Sequence, residues 1–273
     1  MACVSTRARL IAARAFCLAA LLAGAAACAS APKGPPVGAE QPDRFLFERG
    51  TTALNERRWF VAREFFRQLI DSYPQSEYRA DAKLGVGDTY LGEGTLEAQV
   101  LAINEYKEFL AYFPTHRRAD YAQFKLGMAH FYEMRNPARD QAETREAITE
   151  LATFVERYPN SALIEEGRQR LREAKDRLGD HEVHVAEFYL RSRMSVPGAV
   201  DRLGQLLKND PQYTHRDKAY YLMAQAVVLL GQPAAAIPYL DRLIEEFEQS
   251  EYLERAREES ARLKAQLQAQ IKK

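Results

Sequence analysis

The chain has 273 residues, with 38 basic and 38 acidic side chains, so it is neutral overall. That balance lacks the basic excess that nucleic-acid binding favours. The length suits one large or two small domains, and the richness in alanine, leucine, glutamate and arginine favours an all-helical protein.

Residues 1–27 read as a secretory signal peptide. Arg7, Arg9 and Arg14 make a positive start without an acid, Phe16 to Leu22 opens a short apolar run, and Gly24-Ala25-Ala26-Ala27 is small throughout. The run is too short for a comfortable membrane span. Small residues directly before Cys28 resemble the bacterial lipoprotein cleavage box, in which the cysteine becomes the acylated first residue; Ala25 stands where that box usually carries leucine. The other reading is an ordinary signal peptide cut near Ala27. Of the three cysteines, Cys3 and Cys17 leave with the signal, and acylation of Cys28 would leave no thiol and no disulfide. Cleavage leaves 35 basic against 38 acidic residues, a net charge of −3. Ala29, where an aspartate would signal retention, implies by resemblance to other Gram-negative lipoproteins an outer-membrane protein, lipid-anchored at the periplasmic face.

Residues 28–42 carry Pro32, Pro35, Pro36 and Pro42 with Gly34 and Gly38 among them, and read as an extended, lipidated tether. Helices are then expected near 43–56, with Asp43 as N-cap, and near 59–72, 77–91, 97–112, 117–133 and 140–157. Together, residues 43–160 make three helical hairpins. Residues 161–273 follow, opening with Asn160-Ser161 as a cap and a run of about 30 residues from Ala162 to Leu190, interrupted only by Gly179. That run exceeds an ordinary globular helix, so a long or kinked linking helix is expected. A fourth hairpin closes at Pro211, and a fifth spans helices near 214–230 and 233–247. The last helix, near 249–270, spaces Leu253, Ala256, Ser260, Leu263, Leu267 and Ile271 three and four apart. Such a stripe either caps an array of hairpins or offers a seam to a partner helix.

One register runs through these hairpins. At twelve, eight and five residues before Pro74 stand Ala62, Phe66 and Leu69. The same positions hold Ala102, Tyr106 and Phe109 before Pro114, and Ala147, Leu151 and Phe154 before Pro159. They hold Ala199, Leu203 and Leu206 before Pro211, and Ala236, Leu240 and Leu243 before Glu248. The pattern resembles the tetratricopeptide repeat, in which a small residue lets two helices cross closely, large ones fill the groove and proline ends the second helix. The resemblance implies an all-α, right-handed superhelical solenoid of about five such hairpins with a C-terminal capping helix. Longer loops around Gly92-Glu93-Gly94 and Asn136 to Asp140 depart from the usual repeat length. Gly127 is placed where a neighbouring helix can approach.

No catalytic or metal-binding constellation emerges. His181-Glu182-Val183-His184 spaces its histidines three apart rather than the four of a zincin helix. Gly85, Gly87, Gly92 and Gly94 have neither a preceding strand nor a following Lys-Ser/Thr, so they read as packing and turn glycines. No serine sits in a Gly-x-Ser-x-Gly elbow, and His116, His130 and His215 have no nucleophile beside them. A non-enzyme without cofactor or metal is expected.

Two segments narrow the family. Pro114-Thr115-His116-Arg117-Arg118-Ala119-Asp120-Tyr121 opens the third hairpin, and Lys175-Asp176-Arg177-Leu178 followed by Val185-Ala186-Glu187-Phe188-Tyr189 opens the fourth. With the acylated cysteine and tether, these resemble the BamD (ComL) family, lipoproteins of the outer-membrane β-barrel assembly (BAM) machine. The resemblance implies N-terminal hairpins that receive unfolded barrel precursors. It also implies C-terminal hairpins that hold the periplasmic domain of the barrel subunit BamA, alongside other subunits of the machine. An arginine early in the second helix of the fourth repeat takes part in that contact, and its counterpart is Arg202, although the loop before it is one residue longer than in the family; a solvated helix residue is the other reading. Inner-helix aromatics Tyr90, Tyr121, Phe124 and Tyr132, with Asp120, are candidates for a peptide groove, core packing being the alternative. Other periplasmic repeat lipoproteins, such as pilotins for secretin or pilus assembly and division coordinators, are the competing reading; coordinators usually carry an N-terminal coiled coil that is not found here.

Overall fold

The computed structural model describes residues 34–35 and 40–271, so the signal peptide, Cys28 and most of the tether lie outside the described residues. Among the described residues, every regular element is an α-helix. These helices form two compact units, one ending at Gly85 and the other beginning at Val86. The division falls inside one helix, whereas the repeat pattern places its own division at residue 160.

The first unit holds α1 (Pro42–Asn55), α2 (Trp59–Ser72) and the start of α3 (Arg79–Glu93). Pro42 sits in the first turn of α1, where its missing N–H costs nothing, and Gln41 is the N-cap. Asp43 is therefore inside the helix, not its cap: its Oδ2 accepts a hydrogen bond from Ser76 Oγ at 2.6 Å. The α1–α2 turn is closed by Arg57 in the left-handed region at φ 57°. Ala62, Phe66 and Leu69 face inward from α2 and are fully or almost fully buried. The Phe66 ring is seated between Gly50 and Gly85, where an added Cβ would lie 2.6 and 2.5 Å from its edge atoms. Only glycine fits on both sides of that ring.

The second unit continues α3 and adds α4 (Leu96–Tyr112), α5 (Ala119–Tyr132), α6 (Ala142–Arg157) and α7 (Ile164–Ser192). It ends with α8 (Val196–Asn209), α9 (Arg216–Leu229), α10 (Pro233–Glu246) and α11 (Leu253–Ile271). From α4 onward each helix packs on the next. The register set by the prolines accounts for this packing: Ala102, Tyr106, Phe109, Ala147, Leu151, Phe154, Ala199, Leu203, Ala236, Leu240 and Leu243 are all at 0% exposure. At Gly127 an added Cβ would lie 2.8 Å from the Leu151 side chain, so α6 does approach α5 there as the sequence implies.

The linking run is a single helix of 29 residues, about 43 Å long at 1.5 Å per residue. Gly179 does not break it; the glycine makes room for Tyr213, whose ring would lie 2.6 Å from an added Cβ. The Asn160-Ser161 cap is not formed. Leu163 is the N-cap of α7, and Ser161 instead closes the preceding turn, accepting from Leu163 N and donating to Asp120 Oδ2 at 2.6 Å. A serine four residues past the end of a hairpin does the same at Ser250, which accepts from Tyr252 N and donates to Asp217 at 2.6 Å. On α11, Ala256, Ser260 and Leu263 are buried, and Ser260 Oγ reaches Asp241 on α10 at 2.8 Å, so this part of the stripe caps the hairpin before it.

Candidate functional site

Two places in the second unit gather the residues that the sequence marks. The first lies where α3, α4 and α5 meet. Asp88 presents its carboxylate to two tyrosines: Tyr106 OH donates at 2.7 Å, and Tyr121 OH lies 2.9 Å from each carboxylate oxygen. Arg118 lies over the Tyr121 ring at 4.3 Å, and the Lys125 ammonium at 5.4 Å. Burial raises the Asp88 pKa, against the pull of Lys125 and the two hydroxyl donors. Burial likewise pushes both tyrosine hydroxyls upward, with Asp88 adding to the shift. The two hydroxyls therefore keep their protons, and their bonds to Asp88 tie three helices together.

This arrangement corrects much of the expected peptide groove. Tyr90 is 7% exposed and Phe124 5%, the latter packed on Phe154 at 5.4 Å between ring centres, so both belong to the core. Asp120 is engaged by Ser161 Oγ and by the Tyr121 N–H at 2.7 Å, which makes it a turn clasp. Tyr121 is spent on Asp88. Of the five candidates, only Tyr132, at 59% exposure, offers a largely free ring. Asp88 escaped the sequence reading because its partners stand 18 and 33 residues away. The available signal was a carboxylate with Leu84, Gly85 and Leu91 one helical turn away on the same face.

The second place is a groove between α7 and α8, enclosing a cavity of about 670 Å³. Leu178 and Gly179 from α7, Gly198 and Leu206 from α8, and Ile148 from α6 form its apolar lining. Ser195 caps α8 by accepting from Gly198 N at 3.2 Å, which fixes where that helix begins and thus which of its side chains face the groove. Arg202 reaches across from α8. Its Nη1 donates to Glu182 Oε2 at 2.5 Å, and its guanidinium lies 5.8 Å from the centre of the Tyr189 ring. Bonding to Glu182 raises the Arg202 pKa, outweighing the opposing effect of desolvation. The side chains of Arg202 and Glu182 remain 37% and 24% exposed, so the pair is reachable from solvent.

At the far end of the groove, Arg172 grips both oxygens of Asp210, with Nη1 to Oδ1 at 2.9 Å and Nη2 to Oδ2, and also contacts Asp176 at 3.0 Å. The Arg172 guanidinium holds the Asp210 carboxyl below its ordinary range. Asp201 is held by the Gln205 amide at 3.0 Å. Lys175 also lines the groove. In the zincin-like segment, His181 serves another end: its Nδ1 lies 2.6 Å from the Pro137 carbonyl, tying the long α5–α6 loop to α7. Among the described residues, no group of His, Cys, Asp and Glu has metal-binding geometry.

Residues 39–238 match the profile of the YfiO family, described as an outer membrane lipoprotein. The outer membrane protein assembly factor BamD of Caulobacter vibrioides is 27% identical over 211 residues, covering 77% of this chain and 68% of that protein. The factor of the same name from Vibrio cholerae is 26% identical over 214 residues, covering 75% of this chain and 86% of that protein. Among solved structures, the crystal structure of MamA protein aligns over 77% of this chain at 16% identity, with a TM-score of 0.40, and is covered over 94% of its own length.

Proposed function

The chain belongs to the YfiO family of outer membrane lipoproteins, and from that premise we propose that it is a non-catalytic scaffold of the outer-membrane β-barrel assembly machine. It docks the periplasmic domain of BamA through the α7–α8 groove and presents barrel precursors to that subunit from the hairpins nearer the N-terminus. The names of its relatives support the assembly role. The observation that carries the docking site is Arg202: a partly exposed guanidinium at the rim of a 670 Å³ groove with apolar walls. A guanidinium can grip a partner carboxylate with two parallel hydrogen bonds, and the walls can take the apolar body of the same segment.

Two measurements test the reading. The purified lipidated protein should bind the periplasmic domain of its cognate BamA, and Arg202→Glu should weaken that binding by tenfold or more while helicity stays unchanged and the melting temperature falls by no more than about 4 °C, the scale of one partly exposed ion pair. Normal binding by Arg202→Glu removes the arginine from the interface, and absence of binding by the native protein removes the assignment. Anchoring is assigned to acylated Cys28, with each buried CH₂ contributing about 0.8 kcal/mol. A mature N-terminus found unmodified by mass spectrometry would refute it.

A further inference from the structure

We propose that Glu182 occupies the Arg202 guanidinium as the groove's own carboxylate, so that an acidic partner segment binds by exchange, against internal competition. The inference rests on the reading of the α7–α8 groove as a docking site and deepens it. Glu182 projects from α7 and Arg202 from α8, and their 2.5 Å contact spans the groove. The contact runs through Nη1. An incoming carboxylate that uses the end-on fork of the guanidinium requires that same nitrogen. If Glu182 stays, two carboxylates share one cation and repel each other at close range.

The surrounding charges do not relieve this conflict. Asp210 is held by Arg172 and Asp201 by Gln205, each on its own partner. Lys175 lines the groove beside Leu178, one helical turn and more from Glu182, and leaves the Arg202 end to the Glu182 carboxylate. Tyr189 stands 5.8 Å from Arg202 and gives the guanidinium a face to rest on while the carboxylates exchange. Glu182 thereby sets the threshold for partners: an apolar segment without an acid has nothing to offer Arg202, and a segment with an acid must outcompete an internal one. That makes Glu182 a specificity-determining residue.

The test is binding of the full-length protein to the purified periplasmic domain of its cognate BamA. Glu182→Gln keeps the side-chain length and an acceptor oxygen but removes the charge, so it should tighten binding about two- to fivefold, the range expected for removing one partly exposed ion pair. The gain should vanish when Glu182→Gln is placed in an Arg202→Ala background, because the competition acts through that guanidinium. Asp201→Asn, which removes an acid from the same groove but not from Arg202, serves as the control for general charge. Its effect should be smaller and should persist in the Arg202→Ala background. Unchanged or weaker binding by Glu182→Gln, with the native protein binding normally, overturns the proposal and leaves the docking site standing. A gain equal to that of Asp201→Asn, or one surviving in Arg202→Ala, also overturns it. Failure of the native protein to bind removes the docking site itself, and the proposal with it.

Discussion

Asp88 and Asp210 lie in the same compact unit, each at a contact between helices, and the surroundings drive them in opposite directions. Asp88 faces two tyrosine hydroxyls in a closed junction, and burial raises its pKa. Asp210 is gripped by Arg172 at the end of an open groove, and that cation lowers its pKa. The α3–α5 junction is closed by neutral donors and ring packing. The α7–α8 groove is edged by ion pairs that still touch water. The contrast separates the part of the unit that holds shape from the part able to exchange partners, since a water-exposed pair can be replaced at little cost and a buried network cannot.

The largest effect should come from the closed core beside that junction, where α5, α6 and α7 pack together. Phe154 is fully buried, packed on Phe124 and Tyr158. Phe154→Ala should cost about 3–5 kcal/mol, or a fall of roughly 10 °C in melting temperature for a domain of this size. Leu178→Ala, on the wall of an existing cavity, should cost about half of that or less, because fewer packing contacts are lost. Equal losses measured by thermal unfolding would erase the distinction between closed core and open groove.

A smaller effect follows at Asp88. Asp88→Ala strands two buried hydroxyls and should cost about 2–4 kcal/mol, whereas Asp88→Asn keeps an acceptor and should cost about 1 kcal/mol or less at neutral pH. The pH dependence sharpens the comparison. The folded pKa of Asp88 is raised, so its stabilising contribution is present in acid and lost as pH rises through that value. The folded pKa of Asp210 is lowered, so its contribution is present above the ordinary carboxylate range and lost as pH falls toward its depressed value. The melting difference between native protein and Asp88→Asn should therefore grow toward acid, and that between native protein and Asp210→Asn should shrink. Parallel trends in the two titrations would contradict the opposite placement of these carboxylates.

How much of this was legible in the sequence follows from the range of each interaction. The triplets Ala102, Tyr106, Phe109 and Ala147, Leu151, Phe154 are local, fixed by helical spacing and a proline stop, and every one of these side chains is buried as read. The long helix through Gly179 was legible for the same reason, since its amphipathic spacing continues on both sides of the glycine. The Asp88 cluster, the Glu182–Arg202 pair 20 residues apart and the Arg172–Asp210 pair 38 residues apart were not, because each depends on how separate helices stack. Local capping rules also lost to longer-range demands: Asp43 and Ser161, both suited to cap a helix, are taken up by Ser76 and Asp120.

The smallest effect on stability tests whether exposure, rather than residue type, marks the working surface. Tyr90, Phe124 and Tyr132 are all aromatic side chains on inner helices, yet only Tyr132 is largely in solvent, beside Phe131 at 6.2 Å. A buried ring contributes its area to folding, and an exposed ring contributes little to folding but keeps its area for a ligand. Tyr132→Ala should thus change stability by no more than about 0.5 kcal/mol. If the hairpins nearer the N-terminus receive barrel precursors, the same change should weaken binding of an extended, aromatic-rich precursor peptide, by roughly fivefold for one half-covered ring. Unaltered peptide affinity in Tyr132→Ala, with the native protein binding the peptide, would place the precursor surface away from the end of α5. A large loss of stability would show instead that Tyr132 belongs with Phe124 and Tyr90 in the core.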